Sequence, residues 1–166
     1  MHTDICDNVT LADAVGVPGL VFRRFRGPAD YAGLNAAINA SEAADSEEWV
    51  ATVDEIARMF ENLVNFDPAR DIIIAEADSR IAGGAFGSWR QEYSGLYRFS
   101  LNLVLTPAWR GRGVRRAMLR WLEARLREVA AALPDDGRPR WLSVWCYADQ
   151  IDRVARFAQH GYAPRW

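Results

Sequence analysis

The sequence predicts an α/β fold of the α+β type, in which a mixed, mainly antiparallel central sheet is flanked by helices. Three observations predict it. Stretches with strand character and stretches at helical spacing succeed one another in the order β-α-α-β-β-β-α-β-α-β. The three consecutive strands in the middle are joined by short connections and can form an antiparallel meander. The segment Leu101 to Leu133 runs from an apolar strand through a glycine-bearing turn straight into a long helix.

The elements follow in order. Residues 1–18 show no clear period and are expected to form an irregular lead-in, with a helical turn near Leu11 to Val15; a single domain is expected over residues 19–166. Leu20 to Phe25 reads as a first strand, stopped by Gly27-Pro28. Tyr31, Leu34 and Ile38 recur at helical spacing, and this helix is expected to end near Asn39 to Ser41. Thr52 and Glu55 have the spacing of a capping box, ahead of the apolar stripe Ile56, Met59, Phe60 and Leu63. Between these helices lies the acidic, small-residue segment Ser41 to Glu48, which reads first as a solvated loop.

Asp71 to Glu76 is a β-branched strand, Asp78-Ser79 a turn, and Ile81 to Trp89 the returning strand, with Gly83-Gly84 inside it marking a bulge or a close backbone approach. Leu96 to Leu105 is the next strand. The helix after the turn carries Leu119, Leu122, Leu126, Val129 and Leu133 on one side and Arg116, Arg120, Glu123 and Arg127 on the other. Trp141 to Tyr147 is expected as a strand and Asp149 as the cap of a last helix, with Ile151, Val154, Ala155 and Phe157 facing inward. Tyr162 to Trp166 is expected to begin a further strand. Trp109, Trp121, Trp141 and Trp145 are expected in or at the edge of the core, where large rings contribute buried area.

Composition narrows the function. At 166 residues the chain can bury a core of its own. Its net charge of −2 argues against a general nucleic-acid binder, although all 20 basic residues are arginines. No apolar run is long enough to span a membrane and no signal-peptide pattern opens the chain. Cys6 and Cys146 lack metal-type spacing, and His2 and His160 have no partners at ligand spacing, so reduced thiols, no metal and a cytoplasmic location are expected.

The chemistry concentrates after Thr106-Pro107, in Trp109-Arg110-Gly111-Arg112-Gly113-Val114-Arg115-Arg116. A strand, a glycine turn and a helix start leave backbone N–H groups unpaired, and the helix dipole adds positive potential, so the turn can hold a phosphate. Glycine lets a ligand approach the main chain. The Gly-Lys-Ser/Thr ending of a P-loop and the third glycine of a dinucleotide fingerprint are both absent.

Arg110, Gly113 and the helix start resemble the acetyl-CoA loop of the GNAT family of N-acetyltransferases, whose pattern is Arg/Gln-x-x-Gly-x-Gly/Ala. Asp71 to Gly84 is similar to that family's second hairpin, and Phe157 to Tyr162 to the end of its last helix. The element order is that of the acyl-CoA N-acyltransferase fold, from about Leu20 onward, and the whole resembles the N-terminal half of tandem GNAT proteins. The family continues with a final strand pair where this chain stops, which implies a fragment, or strands supplied by a partner, a second GNAT domain or a homodimer.

The resemblance implies acetyl-CoA as acetyl donor and direct transfer to a primary amine of a small molecule or peptide. It places the pantetheine arm on the backbone of Leu103, Val104 and Leu105, and the diphosphate on Arg110, Gly111, Arg112, Gly113, Val114, Arg115 and Arg116. Arg112, Arg116 and Arg120 either reach the 3′-phosphate or form a solvated basic face. The segment between the first two helices would border the acceptor, with Trp49 and Trp89 where an acceptor pocket is lined. Several positions depart from the family's pattern. Arg115 stands where a small residue is usual, and it can either pair with phosphate or exclude the cofactor. Phe157 stands at the usual proton-donating tyrosine, and Gln150 at the usual asparagine. Leu96 to Leu105 carries no Asp, Glu or His, which leaves Glu92, Tyr93 and Tyr97 as nearby candidates for a base and the catalytic residues unassigned. The alternative reading is a degenerate, non-catalytic GNAT-like domain that binds CoA weakly or supports a partner domain.

Overall fold

The computed structural model describes residues 8–11, 17–45, 50–147 and 150–165. Five strands form one sheet in the order β1-β2-β3-β4-β5: β1 (Leu20–Arg24), β2 (Ile72–Ala77), β3 (Arg80–Gln91), β4 (Tyr97–Leu105) and β5 (Arg140–Val144). The first four are antiparallel neighbours, and β5 runs parallel to β4. A parallel neighbour needs a crossover. The helix α4 (Val114–Ala132) provides it.

Ile72-Ile73-Ile74 shows how the layers arise. Side chains alternate across a strand. Ile73 therefore joins Phe99, Leu101, Met118, Leu122 and Leu126 in the core beneath α4, while Ile72 and Ile74 join Leu34, Ile56 and Phe60 on the opposite face. That second face is covered by α1 (Tyr31–Ala44) and α2 (Val53–Asn62). The capping box on α2 is formed, with Thr52 Oγ1 accepting from the Glu55 N–H and Glu55 Oε2 from the Thr52 N–H. Helix α4 lies so close to β3 that a Cβ on Gly87 would meet Leu122 Cδ1 and Leu126 Cδ1, each at 2.9 Å.

The expected bulge is present. Gly83 pairs with Ala75 and Ile81 with Glu76, which leaves Ala82 as the extra residue. The Ala82 carbonyl accepts from the Thr106 N–H at 2.8 Å and so fastens the end of β4 just before the glycine turn. Beside β1 a buried ion-pair network crosses the α1 face. Arg23, 3 % exposed, donates its fork to both oxygens of Asp30 at 2.8 Å, and its Nε donates to Glu76 at 2.6 Å.

Several expectations need correction. Helix α1 runs on to Ala44, and a short helix α3 (Pro68–Asp71), capped by Asp67, precedes β2. β5 stops at Val144 rather than at Tyr147, and residues 162–165 form no strand after α5 (Ile151–Gln159). The cap of α5 is Gln150; Asp149 lies outside the described residues, as do Cys6, His2, Trp49, Trp166 and most of the expected lead-in turn. Trp109 and Trp121 pack against the core, but Trp141 and Trp145 are 37 % and 66 % exposed; Trp141 lies on β5, which among the described residues has no neighbour on its far side, and Trp145 follows that strand. Among the described residues no helix is long and apolar enough to cross a membrane.

Asp30→Ala leaves the buried Arg23 guanidinium with Glu76 as its only carboxylate partner, and is expected to cost about 3 kcal/mol of unfolding free energy in urea titration. A loss below about 1 kcal/mol would place the network among weak surface pairs.

Candidate functional site

The site starts from a difference in strand length. β5 pairs with β4 from Tyr97↔Arg140 to Leu101↔Val144 and then ends, while β4 continues to Leu105. Backbone groups alternate between the two edges of a strand. The Tyr97 N–H donates toward the β5 side, to Pro139 O at 2.9 Å, and the Thr106 N–H donates toward β3. By that alternation Leu103 and Leu105 face the edge vacated by β5, while Val104 faces β3 and pairs with Gly84. The Leu105 carbonyl already accepts from Arg110 Nε at 3.3 Å. Of the three residues expected to offer backbone there, Leu103 and Leu105 face the gap, and Val104 does not.

Beyond β4 the chain makes one tight turn, Pro107–Trp109, and enters the glycine loop. Gly111 and Gly113 have φ of +78° and +80°, a region that side-chain-bearing residues rarely adopt. No crowding enforces this choice. A Cβ on Gly111 would meet nothing within 4 Å, and one on Gly113 only an Arg116 guanidinium nitrogen at 4.0 Å. The space over both glycines is open. Gly113 is also the N-cap of α4, which has neither a side-chain cap nor an acidic residue in its first turn. The N–H groups of that turn, with the positive end of the helix dipole, face a place where an anion is favoured.

The loop residues divide by role. Arg110 is a strut: its two terminal nitrogens grip the Asp45 carboxylate at 2.6 and 3.0 Å, and one of them also donates to Ser41 Oγ at 2.9 Å. Its N–H donates to Pro107 O. It ties the loop to the end of α1 and has little left for a phosphate, contrary to the expected ligand role. Arg112 lies over the Trp109 ring, 5.0 Å from its centroid. The Val114 side chain is buried in the core and can offer only backbone. Arg115 and Arg116 face a cavity of about 360 Å³ between the first turns of α4 and helix α5.

That cavity is lined by Leu103, Gly111, Gly113 and Leu119 on one side, and by Arg153, Arg156, Phe157 and His160 on the other. Among the described residues no carboxylate lines it. Burial pushes the Arg115 guanidinium down to about 10, helped by repulsion from Arg156, Arg110 and Arg153 and opposed by Asp45. Arg115 remains charged at neutral pH all the same. The Nε of Arg153 is buried without a hydrogen-bond partner.

The α5 contribution was missed in the sequence although a signal was there. Arg153, Arg156, Phe157 and His160 stand at i, i+3, i+4 and i+7, one face of a helix. The expected inward face of α5 holds only in part: Phe157 and Val154 are half-buried, but Ile151 is 73 % exposed and Ala155 is exposed. Arg153 and Arg156 were given no role in the sequence, and here they line a cavity.

The candidate bases fall elsewhere. Tyr97 opens β4 at the opposite end from the loop, about 26 Å from Leu105 at the usual strand rise. Its hydroxyl donates to Asp136 at 2.9 Å, which together with burial raises its pKa. Glu92 is paired with Arg98, which lowers its pKa and weakens it as a base, and Tyr93 is fully exposed. Trp89 packs against Tyr97 and Phe99 on the α4 face, away from α1 and α2. Tyr162, which follows α5, donates its hydroxyl to Glu123 at 2.7 Å, and burial first, then that bond, raises its pKa.

Comparison with known proteins gives the family and the fold. The family described as "Acetyltransferase (GNAT) family" matches residues 35–161. No functionally curated protein matches the sequence. A solved GCN5-related N-acetyltransferase from Sphaerobacter thermophilus is similar with a TM-score of 0.71 at 21% identity; the match covers 89% of this chain and 44% of that one. This chain thus spans less than half the length of that protein. A ribosomal-protein-alanine N-acetyltransferase from Brucella melitensis gives 0.62 at 21% identity, covering 84% and 82%. The aminoglycoside N-acetyltransferase AAC(6')-Iy, solved in complex with CoA, gives 0.58 at 16% identity, covering 90% and 93%. At these identities the likeness is one of fold.

Arg115→Leu removes a half-buried charge that three other arginines repel. The ligand-free variant is expected to be more stable than the parent by about 1 kcal/mol in urea unfolding, since apolar replacement of an uncompensated buried charge is stabilising. A clear loss of stability would show that Arg115 is satisfied within the protein.

Proposed function

The chain belongs to the acetyltransferase (GNAT) family, and on that premise we propose that it is an acetyl-CoA-dependent N-acetyltransferase that moves an acetyl group directly to a primary amine of a small molecule or peptide. The observation that carries the reading is the juxtaposition of two unfilled features. The open edge of β4 at Leu103 and the uncapped start of α4 at Gly113 border one cavity. The first suits an amide-bearing arm that continues the sheet's hydrogen bonding, and the second suits a diphosphate.

Acetyl-CoA would supply an activated acyl group as a thioester. The chain's part is to hold it. The N–H groups around Gly113, Val114, Arg115 and Arg116 take the diphosphate, with the Arg115 guanidinium beside them, and the backbone of Leu103 takes the arm. Arg110 keeps the loop at its place against α1 through Asp45. Phe157 lines the cavity with a ring that has no proton to give. With no carboxylate among the described lining residues, positioning supplies most of the rate and the amine arrives deprotonated.

A second reading is favoured by one specific observation. β5 is an open edge, and Trp141, Trp145 and Tyr147 are exposed along and just beyond it, with Trp145 and Tyr147 edge-to-face at 4.3 Å. Such an edge suits a further domain of the same kind or a second copy. In that arrangement this chain would be a supporting half that binds CoA weakly and transfers nothing.

Calorimetric titration with acetyl-CoA and with free CoA, followed by a thiol-release assay against a panel of amines, separates the two. Saturable binding and amine-dependent thiol release are expected. Binding without release under any acceptor would favour the supporting-half reading. Gly113→Val should abolish the binding while the fold survives, at a cost of about 1–2 kcal/mol for a β-branched residue at positive φ. Unchanged affinity in a folded Gly113→Val variant would remove the turn from the site.

A further inference from the structure

We propose that Arg153 and Arg156 of α5 form, with Arg115, a second wall of the anion site, and that α5 is a clamp which seats fully only on a diphosphate. The inference rests on the acetyl-CoA reading for the identity of the natural ligand, but its own evidence is the cavity and its charges.

Helix α5 is held weakly. None of its residues is buried, its first turn has no side-chain cap, and Ile151, its first residue, is 73 % exposed. A helix of this length is marginal without tertiary packing. Yet the face it turns to the rest of the protein is the costly one. Arg153 and Arg156 line the same cavity as Arg115 and Arg116. Among the described residues no carboxylate pairs with any of these four arginines. Asp45, the nearest acid that influences Arg115, is already held by the Arg110 fork. Among the described residues the Nε of Arg153 is buried with no acceptor, and its guanidinium makes a long contact of 3.5 Å from Nη1 to Gln150.

Like charges gathered on two elements push those elements apart, and a buried donor left unpaired costs free energy. Ordinary folding would avoid both. A bound polyanion removes both at once, because each guanidinium gains a charge-assisted acceptor and the mutual repulsion is neutralised. The uncapped start of α4 would grip the diphosphate from one side, and the arginines of α5 from the other. Anion binding and the docking of α5 are then coupled, each favouring the other by the same factor.

The test uses two probes, inorganic pyrophosphate and acetyl-CoA, on the full chain. Affinity is measured by calorimetry and the order of α5 by hydrogen exchange of its amides. Pyrophosphate is expected to slow exchange across Arg153 to Gln159. Arg153→Gln and Arg156→Gln are each expected to weaken pyrophosphate roughly tenfold, and the pair about 100-fold, the scale of lost charge-assisted bonds. Arg153→Lys with Arg156→Lys should recover part of that loss. Arg127→Gln, which removes a charge paired with Glu123 away from the cavity, should change nothing.

If the double Gln variant binds both probes like the parent, or if α5 exchange is unaffected by ligand, the clamp is wrong while the acetyl-CoA reading stands. Binding of pyrophosphate that depends on α5, without binding of acetyl-CoA, would keep the clamp and overturn the donor. A parent chain that is folded and binds neither probe overturns both.

Discussion

β4 outlasts β5 by four residues, and the site depends on that mismatch. Where the two strands pair, from Tyr97 to Leu101, the sheet is closed and its backbone groups are satisfied. Past Leu101 the β5 side of β4 is open, and the Leu103 backbone points into the opening. The Ala82 bulge fastens the Thr106 N–H on the β3 side, so the loop is launched from a fixed end. Helix α4 then begins beside that opening. It cannot slide away, because Leu122 and Leu126 sit over Gly87 with no room for a Cβ between them. A gap in one strand and the start of one helix are thereby held together by packing far from either.

The charges show a division between structure and ligand. Arg23 is more buried than Arg115, yet it is fully matched, with Asp30 and Glu76 taking its donors. Arg110 is matched by Asp45, and Arg125 by Asp71. Among the described residues Arg115, Arg116, Arg153 and Arg156 have no such carboxylate partners, and they share one cavity. Repulsion tolerated at one place in an otherwise compensated protein is the mark of a group kept for something outside the chain. The β5 edge makes a similar statement in apolar terms, with indole and phenol rings left in water beside an unpaired strand.

Much of the fold was legible before any coordinates. β-branched Ile72-Ile73-Ile74, the Thr52–Glu55 box, the Asp78-Ser79 turn and the leucine stripe of α4 are local signals, and each formed where its chemistry placed it. The glycine loop was legible for the same reason: positive φ at Gly111 and Gly113 is a property of two residues and their neighbours. Expectations failed where an outcome depends on what lies across space. Trp141 and Trp145 look like core by size, but an edge strand offers no second wall to bury them. Glu92 and Tyr97 look like candidate bases by type, but one is held by Arg98 and the other lies at the wrong end of its strand.

The sequence by itself therefore determined most of the element order, the family resemblance and the glycine turn, since periodicity, capping and glycine conformations act over a few residues. The tertiary structure alone decided the use of the arginines. Arg110, Arg115, Arg153 and Arg156 are chemically identical along the chain. What made the first a strut is the Asp45 carboxylate in its fork, whereas among the described residues no carboxylate pairs with the other three. Long-range contact sets that distinction, because a charge's role follows from the neighbour that neutralises it.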